Sequence, residues 1–527
     1  MPLLLVGLQG LALARVEAQA PTIRENLGSH HYAVNASPAA QRFFDQGLRL
    51  HWAFNHAEAI RSFKEGERLD STCAMCAFGV ALALGPNINA PMTRPAADSA
   101  AVAIRRAKSR ATAPAEVALI DALAERYSST DTAARLRLDT AYAKALRQVV
   151  ASSPRDLEAR VWYADALMNL SPWNYWNPDG SPRPATRMIL AQLDTVLKAN
   201  PDHPGGCHLY IHAVEARYPE RAVRCAERLA ALMPGAGHIV HMPAHIYIRV
   251  GRYADAVEIN KHAVHADETL LEGPGVVKRG IYSSGYFPHN HHFLSFAASM
   301  MGASRLAIEH AFHASSGVDP AVAAEIPWID AITPMSYLTL VTFGQWDRIL
   351  TEPPPPSEQR YTTGMAFYAR GVAFAAKRRW AEANAALDSV GRIAAAFPEG
   401  DNKTALLIAE RALVGEIELR RGALSAAIRS FQSAAMLEDR MAYNEPPVWY
   451  YPMRHSLGKA LMLAKRYKEA ETAYRQDLER FPENGWSLYG LAQALKSSGR
   501  TREAQTVLDR FNKAWANADV KLTASRF

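Results

Sequence analysis

The feature that most limits what this chain can become is a helical repeat near its C-terminus. Leu457, Gly458, Leu461 and Ala470 are each followed 34 residues later by Leu491, Ala492, Leu495 and Ala504. Tyr467, Tyr474 and Pro482 complete the first copy. Apolar residues three and four apart mark one face of a helix, while glycine and proline mark the turns. No stretch alternates polar and apolar residues for long enough to read as a strand. A unit of two helices has no partner for its apolar face within itself, so such units must stack into one continuous array.

Related units are spaced along the chain. Gly47, Leu50, Ala59 and Phe63 mark one, and Gly251, Tyr253 and Ala256 another. Gly371, Trp380 and Ala383 mark a third, and Gly415, Gly422, Ala427 and Phe431 a fourth. The pattern resembles the tetratricopeptide repeat, which has a large then a small apolar residue in its first helix. Alanine at the helix crossing, an aromatic in the second helix and proline at the exit complete it. The resemblance covers most of residues 40–515. It implies an all-α, right-handed tetratricopeptide-type solenoid with loop insertions and a concave inner wall. The expected organisation is a signal peptide over 1–20, a flexible leader over 21–39 and an N-terminal array over 40–350. A proline-rich linker over 351–357 and a C-terminal array over 358–527 follow.

Four insertions interrupt the period, at 171–184, 268–288, 351–357 and 442–451. Loops of that length over a repeat scaffold commonly line sites. Trp173, Trp176, Tyr282 and Tyr286 are expected either to roof a small-molecule pocket or to seal the rim of the solenoid.

Histidines supply the chemistry. At about 100° per residue, His208, His212 and Glu215 share one helical stripe, as do His238, His241 and His245, and then His289 with His292. The resemblance places these stripes at the groove-facing positions of three successive first helices. Neutral imidazole is a ligand for Zn, Cu or Fe, and two histidines four apart chelate from one helix face. His208, His212, His238, His241, His245, His289 and His292 are therefore the candidate metal ligands. A mononuclear set of His208, His212, His241 and His245 is the leading arrangement, with His289 and His292 as alternative ligands, outer partners or a second site. Glu215 is expected as a carboxylate ligand or a catalytic general base, against the plainer reading of a groove salt bridge. The plain alternative for the histidines is a polar groove that hydrogen-bonds a peptide. His51 falls at a groove position, whereas His56 takes the place of a turn aromatic and is expected to cap or pack. The 85–91 loop, with Asn87 and Asn89, reads as a capped connection.

Composition narrows the remainder. The net charge of +7 is dispersed, without a basic run, so nucleic acid is not an expected partner. The apolar run over 3–14 and Ala18-Gln19-Ala20 read as a signal peptide and imply export to a periplasm or beyond. If that segment is not a signal, the chain stays cytoplasmic. No integral membrane segment is expected. Cys73 with Cys76 and Cys207 with Cys225 are either disulfides or buried thiols. No nucleophile elbow, phosphate loop, dinucleotide fingerprint or HExxH motif occurs. The expected function is an exported solenoid binding a transition metal, either as a metal-dependent enzyme (hydrolase or oxidoreductase) acting on a small molecule or as a metal-dependent small-molecule binder. A protein-interaction scaffold taking a peptide or protein in its groove, or a metal storage or delivery protein, are the alternatives.

Overall fold

The structure is a computed structural model that describes residues 20–129 and 131–527. All of the expected signal peptide except Ala20 lies outside these residues. The described chain is all-α, an α-solenoid of stacked helical hairpins, relieved only by two isolated bridges, Asn87 to Ala90 and Trp176 to Pro182.

The first hairpin shows why these residues fold this way. Ser37 caps helix Pro38–Trp52 by accepting from the backbone N–H of Ala40, with proline in the first turn. Asn55 caps the return helix His56–Leu69 through Glu58 N–H. Where the two helices cross, a Cβ on Gly47 would sit 2.5 Å from the Phe63 ring. Gly458 stands in the same relation to Tyr474, at 2.3 Å, so the small residues of the repeat mark helix crossings. The turn between the two helices needs a left-handed residue. Gly251 and Gly499 supply it later in the array, both at φ +78°.

The array closes on itself. One apolar cluster runs from Leu27 through Phe343 and takes in Phe481, Trp486 and Leu522. Trp486 Nε1 donates to the carbonyl of Ser299 at 2.8 Å, and Asp519 accepts from the N–H groups of Ser304 and Arg305 at 2.7 and 3.0 Å. Arg249 donates to the Arg480 carbonyl at 3.2 Å. The proline run at 353–356 lies between helices Trp346–Thr351 and Arg360–Ala376. It makes no break in packing, because a second apolar cluster runs from Ala311 across it to Val507.

The leader, expected to be flexible, is held down from residue 22 onward. Asn26 accepts from Gly235 N–H at 2.8 Å, Tyr32 donates to Asp156 at 2.9 Å, and His31 pairs with Asp45 at 2.8 Å. Among the described residues no helix is long and apolar enough to cross a membrane.

Candidate metal centre

Three helical segments carry the histidines inward. Helix Pro204–Val214 holds His208 and His212, with Glu215 as its C-cap residue. The segments Gly237–His241 and Pro243–Arg249 hold His238, His241 and His245. Helix Phe287–Met300 holds His289 and His292, and it follows a π-helical turn over Tyr282–Tyr286 within the third-last insertion. Such turns frequently re-aim side chains at functional sites. His208 and His241 are fully buried, and His212, His238 and His245 are at most 2% exposed.

Hydrogen bonds fix which ring nitrogen carries the proton. His208 Nδ1 lies 2.6 Å from the carbonyl oxygen of Trp52, which only accepts, so this nitrogen is the donor. His241 Nδ1 donates to Asn260 Oδ1 at 2.7 Å, while the Asn260 amide nitrogen donates to the Ala256 carbonyl. His212 Nδ1 and His245 Nδ1 both donate to the Glu215 carboxylate, at 2.7 and 2.6 Å. In the neutral ring every proton is thereby placed on Nδ1, and each Nε2 presents a bare lone pair. These lone pairs face one another: Nε2 of His208 and His212 are 3.1 Å apart, and Nε2 of His241 and His245 are 2.9 Å apart. Two such atoms repel unless a cation lies between them, either a metal ion or a proton that turns one ring into an imidazolium donor. Their separations are those of two nitrogens on one ion with bonds of about 2.0–2.1 Å.

The tetrad expected from spacing is divided by the fold. His208 and His212 gather with His238, whereas His241 and His245 gather with His289. Both ring nitrogens of His238 are buried without a hydrogen-bond partner among the described residues. His292 joins neither group; its Nε2 is buried and unpartnered elsewhere on the helix. His51 and His56 stack on each other at 5.1 Å, outside both groups.

Glu215 is fully buried beneath the two groups and also accepts from the Tyr443 hydroxyl at 3.0 Å. Burial pushes its carboxyl up, but the imidazoles of His245 and His212 outweigh that and hold it well below its usual range. Burial, reinforced by the neighbouring imidazoles, pushes His208, His238, His241 and His289 well below the ordinary histidine range. They are neutral at pH 7, as ligands must be.

A cavity of about 270 Å³ opens over the histidines. Of the four expected roof aromatics, Trp173 and Tyr286 line it. Trp176 instead donates to the Ala213 carbonyl, and Tyr282 to Asp267. Trp328 and Tyr443 complete the aromatic wall. Asn89 knits the roof: it accepts from Trp173 Nε1, donates to the Tyr286 hydroxyl, and its carbonyl accepts from Trp328 Nε1. The remaining wall includes Glu445, whose carboxyl burial pushes up to about 7 against the pull of Arg249. Glu445 Oε2 is buried without a hydrogen-bond partner among the described residues.

Residues 461–522 match the family model for the tetratricopeptide repeat. Over those residues the chain carries a tetratricopeptide repeat. No curated protein matches it. Among solved structures it is similar to a human IFIT1 dimer with m7Gppp-AAAA, at 13% identity over 91% of each chain and a TM-score of 0.33. A human IFIT1 dimer with PPP-AAAA matches at 14% identity, over 89% of this chain and 88% of that one, with a TM-score of 0.32.

Within this helical array, Phe54 is a site residue that no motif in the sequence marks. It occupies the turn position that Gly251 and Gly499 fill elsewhere, at φ +54°, which costs a residue with a side chain about 1–2 kcal/mol. Its ring lies 4.5 Å from that of His208 and 5.3 Å from that of His238. A third histidine group belongs to the leader, not to the groove: His30, Glu158 and His203. His203 Nδ1 accepts from Gly206 N–H and caps the helix bearing His208. Its proton is therefore on Nε2, which lies 3.3 Å from a Glu158 oxygen at ion-pair distance and is not free to ligate a metal. Both cysteine pairs are disulfides, and Cys207–Cys225 ties the His208 helix to helix Val223–Leu232.

Proposed function

We propose that this repeat protein binds a late first-row transition metal (copper, zinc or iron) through its buried groove histidines. In this reading it uses the metal on a small molecule held in the aromatic-walled cavity. The observation that carries the reading is the pair of Nε2–Nε2 approaches, 3.1 and 2.9 Å, between rings whose protons are committed to other acceptors. Outer partners that hold the tautomer of a ligating histidine are a recurring part of metal sites, and Trp52, Asn260 and Glu215 stand in that position here. In the same reading Glu215 orients His212 and His245, and Glu445 on the cavity wall moves protons to or from the bound molecule. A carboxyl poised near neutrality suits that work, whereas a carboxylate held ionised by two imidazoles does not. Imidazole ligands alone do not separate copper from zinc or iron.

The two disulfides favour an oxidising compartment and agree with export, for which the N-terminal apolar run is the sequence argument. Storage or delivery of metal is the competing reading, and the deep burial of the imidazoles favours it. Elemental analysis of untagged protein tests binding: near-stoichiometric copper, zinc or iron is expected. No metal, even after reconstitution with each ion in turn, overturns the reading. Glu445→Gln then separates use from storage. On copper-loaded protein, azide binding is expected to weaken through pH 7 as Glu445 ionises, and that step is expected to vanish in the variant. An identical pH profile in the two proteins removes Glu445 from the site chemistry.

A further inference from the structure

Six inward imidazoles are more than one ion accepts, since a mononuclear site takes three or four protein ligands. The fold does not surround one point with them. His208, His212 and His238 bring one ligand atom each to within 4.8 Å of one another, and His241, His245 and His289 do the same. His238 and His241 lie in one five-residue helical segment yet face different groups. The His238 ring is 5.0 Å from that of His208 and 5.9 Å from that of His241. His289 closes the other group, with its ring 4.9 Å from that of His241 and 5.7 Å from that of His245. Each group contains one close Nε2 pair, so each confronts the same lone-pair repulsion. An ion drawing two ligands from each group would leave His238 buried, with neither ring nitrogen partnered among the described residues.

The two groups are also tied together. The rings of His212 and His245 are 5.4 Å apart, and one carboxylate, Glu215, takes the Nδ1 proton of both. We infer that the chain holds two transition-metal ions side by side, one in each three-histidine group, with Glu215 as their shared outer support. This rests on the metal-binding reading above. Three protein ligands leave each ion an open position, as in catalytic sites and unlike saturated structural ones. His212 and His238 of one group, and His245 and His289 of the other, line the same cavity. A molecule in that cavity therefore meets both ions.

The test is a titration of the full-length, metal-free chain with Cu²⁺ and, separately, with Zn²⁺. Two equivalents bound tightly are expected, falling to one in His238→Ala and to one in His289→Ala. One equivalent in the wild type, abolished by either variant, leaves the metal reading standing and overturns the pair. No binding at all overturns the metal reading itself, and the pair with it. Paramagnetic resonance of the wild type guards against a variant that fails to fold. The first Cu²⁺ equivalent is expected to give a full isolated signal, and the second to reduce the signal per copper by coupling to its neighbour. A second equivalent whose signal simply adds is a distant, adventitious ion and overturns the pair.

Discussion

Glu215→Gln separates a carboxylate that orients ligands from one that merely fills space. Glu215 accepts the Nδ1 proton of His212 at 2.7 Å and of His245 at 2.6 Å. A glutamine offers one oxygen and one NH₂ group in the same place. One imidazole keeps its acceptor; the other now faces a donor and must move its own proton to Nε2. A protonated Nε2 no longer binds metal, so one three-histidine group loses a ligand. A hydrogen bond to a charged partner contributes about 1.5–3 kcal/mol. That corresponds to roughly a 10–100-fold loss of affinity, the range found when outer partners of metal ligands are replaced. Competition against a chelator of known affinity measures it, with circular dichroism as the control for fold. One ion is expected to weaken by about 10–100-fold while helix content stays at the wild-type level. The metal-free variant should also be less stable at pH 7, because the imidazole contacts that hold the Glu215 carboxylate ionised stabilise the fold. Tyr443→Phe deletes only the third hydrogen bond to Glu215 and leaves both imidazole tautomers in place, so its effect is expected to be much smaller. Unchanged affinity for both ions in Glu215→Gln refutes the reasoning, because the carboxylate would then not determine which nitrogen is free.

Acid should unfold the metal-free chain. Burial lowers His56 to about 4 and His292 to about 3, below the unfolded value of about 6.5. The unfolded chain therefore binds more protons in that window, and stability present above it is lost as pH falls, by at most about 1.4 kcal/mol per residue per pH unit. Asp267, Glu438 and Glu445, raised to about 7, and Asp165 and Asp330, raised to about 6, work in the opposite direction but are outnumbered by the buried imidazoles. A thermal midpoint that stays flat from pH 7 to 5 in chelator would contradict this. Phe54→Gly relieves a left-handed residue but removes a ring packed on His208, so a net destabilisation of about 2–3 kcal/mol is expected. Lys465→Gly, at φ +59° on the surface, should instead be neutral or mildly stabilising, and denaturant titration of the two variants checks the contrast. His203→Ala removes a helix cap worth about 1 kcal/mol and should lower stability without changing the number of metal ions bound.

The repeat was legible because its determinants are local. Gly458 against Tyr474, and Ala470 beside them, are spacings within one hairpin, and each hairpin meets mainly its neighbours. The histidine stripes were legible for the same reason, since helical period alone turns His208 and His212 to one side. Their grouping was not. That His238 leaves His241 to join His208 depends on how three hairpins pack and on a helix interrupted at Pro243. Trp328, Tyr443 and Glu445 carry no local signal that they wall a cavity. They reach it from other parts of the array, Tyr443 from 228 residues beyond its partner Glu215. The asparagines of the 85–91 loop read as caps, and Asn87 does accept from Asn89 N–H and Ala90 N–H. Asn89 also bonds three roof aromatics, which nothing nearby in the chain announces.

Closure of the array gives the histidines their chemistry. A tetratricopeptide groove left open keeps its polar residues in water, where an imidazole needs no partner and a cation held by it is weakly bound. Here the insertion at 442–451 brings Tyr443 to Glu215, while Trp486 and Asp519 fasten the end of the array to its middle. The groove becomes an interior. Burial then penalises every unpaired polar atom, and His238, with neither ring nitrogen bonded among the described residues, is a clear case. In the metal reading proposed above, ions would return the interaction that each Nε2 loses on burial, and a dry, low-dielectric surround would strengthen every bond they make. The closed solenoid and the converging imidazoles are therefore two parts of one arrangement. A version of this fold without the metal would be expected to lose either the histidines or the closure.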